Sequence, residues 1–469
     1  MKIVLWDTRQ LDVSKDFAGG YGVGQYASGG GIRGQIVRRF YKRDHRPTGL
    51  TFAYLASIFR QLGHEVHFGE DEIIPHGDVY VFSPSLITLN LELAAIGEVV
   101  RTEPSATILV VGILATTLPT AFAELPVTLV QGEPEQLLWK LDEVLNKTSG
   151  PVSVGSIQDL DALPFPDWDL FAPKKFRIAY DFSQFPTGLI QQSRGCTFTC
   201  NYCPYIVIEN KTRFRSPESV VEEMRRGMQE YGFRSFKFRD PLFGLDRKRV
   251  LRMAELIGQL PRKVEFSIES RIDLLKPETL EVLRGVGLTA ITVGIETPDE
   301  GTLKQYKRAP INDDKQRQFI ETCRRLGIRT VAGFMIGFPE DTAQSIKGVL
   351  RYAKAVNPTF ANFNIVTPYP GAEFYNQVVQ DIADFDFTKY NVYTPVMKYH
   401  HLTASEVTAW HARCFTKYYF RWDWVQAHAH LLWPAAKWLG FGYRPAPEPQ
   451  APATIALPIM ATDCDRKVA

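Results

Sequence analysis

Two successive series of short apolar segments, each spaced by stretches of helical periodicity, most limit how this chain can fold. "KIVLW" (residues 2–6), "HEVHF" (64–68), "DVYVFS" (78–83), "ATILVVG" (106–112) and "VTLVQG" (127–132) have the length and apolar content of buried strands. "GLTFAYLASIFRQLG" (49–63) has helical spacing and stops at a glycine. This alternation predicts a doubly wound, flavodoxin-like parallel sheet over residues 1–148. A proline-rich linker, expected over 149–185, contains "DLDALPFPDWDLFAP". A second alternation follows over 186–371, with strands predicted at 189–194, 235–239, 264–271, 290–296, 329–336 and 361–366. Six such units predict a partial (β/α)6 barrel, in which working residues belong at the C-terminal ends of the strands. In "SPESVVEEMRRGMQEYG" (216–232), Ser216 is a good N-cap, Pro217 suits the first helical position and Gly232 stops the helix.

The ends of these units carry other signals. After the first strand comes a loop of about forty residues, containing Gly19, Gly20, Gly22, Gly24, Gly29, Gly30, Gly31 and Gly34. Loops this long are functional or disordered. Residues 372–443 read as an aromatic helical region, with Trp410, Arg421, His428, His430, Lys437 and Tyr443 in its later part. It is expected to cap the barrel, the alternative being an amphipathic segment on a membrane surface. His428 and His430 are two apart and do not share a helix face as metal ligands would. Residues 444–469 form a proline- and alanine-rich tail, expected to be disordered.

Composition narrows the function. The 469 residues carry a formal charge of +2, with no basic stripe, so no nucleic-acid partner is expected. Neither a signal peptide nor a long uncharged apolar run is visible. Six cysteines, half of them clustered, do not form a secreted disulfide framework, and a cytoplasmic protein is expected.

The clustered cysteines carry the chemistry. "SRGCTFTCNYCPY" (193–205) places Cys196, Cys200 and Cys203 in C-x3-C-x2-C spacing. No second cysteine pair completes a zinc knuckle, since Cys323, Cys414 and Cys464 are isolated. Three thiolates on one loop suit a [4Fe–4S] cluster whose fourth iron is left open for chemistry, and a zinc loop is the alternative.

This stretch resembles the signature of the radical S-adenosylmethionine (SAM) superfamily. The resemblance implies that SAM chelates the open iron through its amine and carboxylate. Reductive cleavage then releases methionine and a 5'-deoxyadenosyl radical, the electron coming from a flavodoxin- or ferredoxin-type donor. It also implies further roles. Tyr202 packs near adenine; Asp240, in "FRDPLFG", meets the SAM amine; Arg271, in "SIESRIDLL", meets the SAM carboxylate. Glu296, in "VGIETPDEGTL", bonds the ribose, although Thr297 and Pro298 replace the family's Ser-Gly. Gly333, in "GFMIGFPEDT", flanks adenine, and "TPYPGAEFY" (367–375) leaves the sixth strand.

The full layout, over roughly residues 1–400, resembles the superfamily branch with an N-terminal cobalamin-binding domain. "PTGLTFAYLASIFRQLGHEV", "VFSPSLITLN", "LVQGEPEQLL" and "LDALPFPDWDL" match it. The D-x-H-x-x-G motif is missing, and "VGILAT" replaces the usual GGxH. The resemblance implies a cobalamin crevice lined by Ser83, Ser85, Gly112, Gly132 and Glu133. It also implies C-methylation of an unactivated carbon in a natural-product or lipid-like substrate. The alternative is a cobalamin-independent cyclase, oxidase or ring-rearranging enzyme.

Overall fold

Six parallel strands form the N-terminal sheet: β1 (Lys2–Asp7), β2 (Glu65–Glu70), β3 (Val79–Phe82), β4 (Thr107–Val110), β5 (Thr128–Gly132) and β6 (Gly150–Gly155). Their order is β2-β1-β3-β4-β5-β6, the doubly wound arrangement expected. The chain reverses its winding between β1 and β3, and a crevice opens at the C-terminal ends there. The computed structural model describes residues 1–8, 13–15, 17–24, 49–70, 74–178 and 183–431. Gly29, Gly30, Gly31, Gly34, Lys437, Tyr443 and the tail lie outside the described residues.

The core strands are apolar because helices cover both faces; every residue of β3 is buried. Helices α1 (Leu50–Gln61), α2 (Leu89–Thr102) and α3 (Leu137–Leu145) supply that cover. One boundary needs correction. Residues expected to open the linker form β6, paired in parallel with β5 from Thr128 opposite Gly150. Only Val152 and Val154 point inward, and Pro151 is tolerated because β6 is an edge strand. Those three features hide the strand from an apolar pattern. The true linker is irregular, but Trp168, Phe171 and Phe176 are buried, with Trp168 at 5.6 Å from Phe176 and 6.4 Å from Phe233. Burying such a side chain stabilises by about 1.5–3 kcal/mol, and here it joins the two sheets.

The second sheet contains β7 (Thr187–Ile190), β8 (Ser235–Phe238), β9 (Glu265–Ser270), β10 (Leu288–Glu296), β11 (Arg329–Ile336) and β12 (Phe360–Ile365). All are parallel and in sequential order, an open six-stranded barrel. Helices α4 (Pro217–Glu230), α5 (Arg247–Gly258), α6 (Pro277–Gly285), α7 (Asp313–Arg325) and α8 (Ala343–Val356) cover its outside. Ser216 caps α4 by accepting the Ser219 N–H, as expected. The strand expected over 189–194 divides. It ends at Ile190, and Ser193–Arg194 turns away to pair antiparallel with Arg213–Phe214.

The C-terminal region packs against the barrel. Helix α9 (Ala404–Tyr419), opened by a Thr403–Glu406 capping box, and α10 (Trp422–His428) lie along β12, the free edge. The Tyr419 hydroxyl accepts the Ala361 N–H at 3.1 Å and donates to the Ala361 carbonyl at 2.9 Å. His411 Nε2 meets the Phe363 carbonyl at 2.9 Å, and Trp424 Nε1 donates to the Thr359 carbonyl. Burial holds His411 at about 4, so the ring is neutral and Nε2 is the donor. Among the described residues no helix is long and apolar enough to cross a membrane.

Candidate active site

The cysteine loop starts where β7 ends, and its path is set by a glycine. Gly195 has φ +75°, and a Cβ there would lie 2.3 Å from the Lys211 carbonyl oxygen. Only glycine fits this combination of left-handed backbone and close approach. Beyond it the loop is tied to the barrel mouth. Asn201 N–H donates to the Tyr306 carbonyl, Phe374 N–H donates to the Asn201 carbonyl, and Asn201 Nδ2 donates to Gln377 Oε1 at 2.9 Å.

Cys196 and Cys200 are buried, Cys203 is partly so, and none forms a disulfide. Burial raises the Cys196 thiol and pushes Cys203 up to about 12. A bare pocket therefore keeps both protonated, and holding them as thiolates takes a bound cation. Among the described residues no three His, Cys, Asp or Glu side chains converge on a single-ion site. A cubane asks for a different arrangement, one thiolate per corner iron.

Basic and acidic groups meet the loop from β9 and β10. Arg271 lies over the Phe198 ring at 4.2 Å and is paired with Asp273 through Nε and Nη2. Its Nη1 is buried without a hydrogen-bond partner, leaving donors for an incoming carboxylate. Glu296 ends β10 at φ +68°, a strained conformation for a residue with a side chain. Burial raises its carboxyl, against the pull of Arg308 and Arg271. Arg308 was not foreseen from sequence. Its Nη2 donates to the Gly294 carbonyl at 2.6 Å and lies 3.2 Å from Glu296 Oε1, while Nη1 lies 4.0 Å from Cys200 Sγ. Twelve residues after Glu296 and outside any strand, it had only the charge of "YKRAP" to signal it.

Gly333 pairs in register with Gly294. A Cβ on Gly294 would meet Glu296 Oε1 at 2.3 Å and Arg308 Nη2 at 2.9 Å, so this glycine makes room for the Glu296–Arg308 pair, whereas a Cβ on Gly333 would meet only backbone, at 3.7 Å. Tyr202 packs edge-on to Phe338, at 6.4 Å, and its buried hydroxyl has no partner. The Arg271 and Tyr202 groups without partners, the bare backbone at Gly333 and the three thiols fit SAM and an iron–sulfur cluster in donor type. Asp240 is different. Its Oδ1 accepts from the Gln192 N–H at 3.1 Å, the Ser193 N–H at 2.5 Å and the Ser193 hydroxyl at 2.6 Å. The carboxyl is thereby occupied in fixing the start of the cysteine loop, not held open for an amine.

The N-terminal crevice faces this loop. One cavity is lined by Ser83, Gly112, Gly132 and Glu133 from the first sheet and by Arg194, Gly195 and Tyr205 from the second. Ser85 is not among its lining residues; its hydroxyl turns to Thr88 Oγ1 at 2.7 Å. Glu133 lines the cavity, but both carboxylate oxygens are held by Arg213 at 2.8 Å, and Oε2 also accepts the Ile157 N–H. Burial alone would raise its carboxyl, but Arg213 and Arg194 outweigh that and it is lowered. Asp7 and Lys15 also line the cavity, ion-paired at 2.5 Å.

Comparison with known proteins bears on the same regions. An uncharacterised methyltransferase of Pyrococcus horikoshii is 26% identical over 268 residues, 56% of this chain and 57% of that protein. The anaerobic magnesium-protoporphyrin IX monomethyl ester cyclase of Cereibacter sphaeroides is 27% identical over 308 residues, 65% of this chain and 47% of that one. The matched stretch thus spans about half the length of these relatives. A structure of the cobalamin-dependent SAM radical enzyme OxsB, with aqua-cobalamin and SAM bound, aligns with a TM-score of 0.65. It covers 92% of this chain and 67% of that one at 13% identity, a likeness of fold. The radical SAM superfamily model matches residues 190–353, the stretch holding the cysteine loop, Asp240, Arg271, Glu296, Arg308 and Gly333.

Proposed function

We propose that this protein cleaves SAM reductively at a [4Fe–4S] cluster held by Cys196, Cys200 and Cys203, and that it binds cobalamin and methylates an unactivated carbon of a small organic substrate. The observation that carries this reading is the shared cavity. Ser83, Gly112 and Gly132 of the first sheet and Gly195 and Tyr205 of the cysteine loop line the same space. A ligand of the doubly wound domain therefore faces the loop that would hold the cluster. When bound, the reduced cluster supplies the electron that splits SAM into methionine and a 5'-deoxyadenosyl radical, and cobalamin supplies the methyl group.

The chain's own residues bind and orient. The three cysteines release their protons on metal loading. The Arg271 Nη1 and the Arg308 guanidinium attract the SAM carboxylate, a task for which a planar fork suits better than lysine. Glu296 receives the ribose hydroxyls, and Gly333, with no side chain near its Cα, lets a flat ring lie against backbone. Tyr306, stacked on Phe338 at 4.5 Å and edge-to-face with Phe374 at 5.5 Å, excludes water beside the loop with them. Lys237 and Glu269 form a 3.4 Å ion pair, with Lys237 on the opposite face of β8 from the core residues Phe236 and Phe238.

The similarity to a magnesium-protoporphyrin ester cyclase supports a second reading, oxidative ring formation without methyl transfer. Cobalt content separates the two. After anaerobic reconstitution with iron, sulfide and hydroxocobalamin, methylation predicts stoichiometric cobalt beside iron, and label from methyl-labelled SAM in the product. Iron without cobalt would overturn the cobalamin assignment and favour ring formation.

A further inference from the structure

Two arginines flank the cysteine loop at its root. Arg194 and Arg213 stand directly opposite each other in the short antiparallel ribbon. Adjacent like charges on a ribbon repel unless each is answered. Both are answered from the other domain, by the segment that follows β5. Arg194 Nη1 and Nη2 donate to the two oxygens of Glu135 at 3.0 and 2.9 Å, and its Nε donates to Gln191 Oε1. Arg213 Nη1 and Nη2 donate to the two oxygens of Glu133, both at 2.8 Å. Neither carboxylate side chain is more than 10% exposed. Ser156 Oγ donates to Glu209 Oε2 across the same boundary.

Burying four charges is a poor way to gain stability, since desolvation offsets much of the attraction. Two parallel forks do define a position in every direction. Arg194 is joined to Cys196 through Gly195 alone, whose backbone is itself wedged against Lys211. We propose that the Glu135–Arg194 and Glu133–Arg213 pairs are a positioning device through which the N-terminal domain sets the place of the cysteine loop, and hence the geometry in which SAM meets the cluster. This rests on the reading of the three cysteines as cluster ligands. Glu133 and Glu135 are positioning residues; neither has a recorded contact with a cysteine.

The test uses the full chain, reconstituted anaerobically, as wild type, Glu135→Gln, Arg194→Lys and the exchanged pair E135R/R194E. The readouts are iron per chain, the electron paramagnetic resonance spectrum of the reduced cluster with and without SAM, and SAM affinity by equilibrium dialysis. The singles should retain iron and fold, yet bind SAM about tenfold more weakly, in the range of ordinary coupling energies, and show a diminished spectral response to SAM. The exchanged pair should recover part of both. Iron loss from folded Glu135→Gln would support the same conclusion, because that residue lies in the other domain. If Glu135→Gln fails to fold, Arg194→Lys carries the expectation, keeping the charge while losing the fork. Wild-type SAM affinity and spectra in the folded singles would overturn the proposal and leave the pairs as a plain domain bridge. Failure of the function proposed above would show differently, as wild-type protein whose spectrum does not respond to SAM.

Discussion

Asp240→Asn tests how the start of the cysteine loop is held. Asp240 is fully buried, and burial raises its carboxyl from the ordinary 3.8 to about 7, further than the Ser193 and Gln192 hydrogen bonds lower it. Between pH 4 and pH 7 the folded protein thus keeps a proton that the unfolded chain has released. Stability falls as pH rises through that window and levels off above it. A displacement of roughly three pH units corresponds to about 4 kcal/mol. Asparagine offers the same three donors an acceptor and carries no charge. The variant should match wild type near pH 4 and exceed it by up to about 4 kcal/mol at pH 8. Alanine would leave two N–H groups and a hydroxyl without their acceptor, costing about 1–3 kcal/mol for each group left unsatisfied, at every pH. Urea unfolding of the metal-free protein between pH 4.5 and 8 reads the difference, and other titrations cancel between wild type and variant. A difference that stays constant over this range, or grows toward acid, would refute the reasoning. It would mean that the three donors keep the carboxylate ionised despite its burial.

Other outcomes follow from the same geometry. Alanine at Cys196, Cys200 or Cys203 should abolish both iron retention and 5'-deoxyadenosine formation; full iron content in any one of the three would remove the cluster assignment. Gly195→Ala places a Cβ 2.3 Å from the Lys211 carbonyl oxygen in a left-handed backbone. It should cost about 1–3 kcal/mol and lower iron loading, and unchanged thermal stability with full iron would show that the loop relaxes freely. Arg308→Gln should weaken SAM binding about tenfold, or ~1.4 kcal/mol, with iron unchanged. Equal affinity by dialysis would show that Arg308 serves only Glu296.

The parts of this molecule readable from sequence are those whose signal is local. Cys196, Cys200 and Cys203 lie within one loop, and the spacing carries the chemistry. The barrel strands repeat a short apolar pattern, so β11 falls where expected. What was not readable depends on partners far along the chain. Glu133 lines the crevice, but Arg213, eighty residues later, takes both its oxygens. Asp240 looks like an open carboxylate until Gln192 and Ser193 turn back onto it. Ser85 differs, since its hydroxyl is taken locally by Thr88, three residues on. β6 carries no continuous apolar run because an edge strand needs only every second residue to be apolar.

An open sheet must do something with its last strand, whose outward N–H and C=O groups invite another chain to pair. Here the answer is mostly made of side chains: Tyr419 bonds both backbone groups of Ala361 and His411 takes the Phe363 carbonyl, while the Ile365 N–H donates to the Val392 carbonyl. A phenol and an imidazole can be withdrawn by moving one helix, without unfolding the barrel. Cleavage or local melting around α9 would therefore uncover an adhesive β edge on a largely intact molecule. Resistance to sheet-to-sheet pairing on heating or proteolysis would then rest on a helix on the barrel's flank.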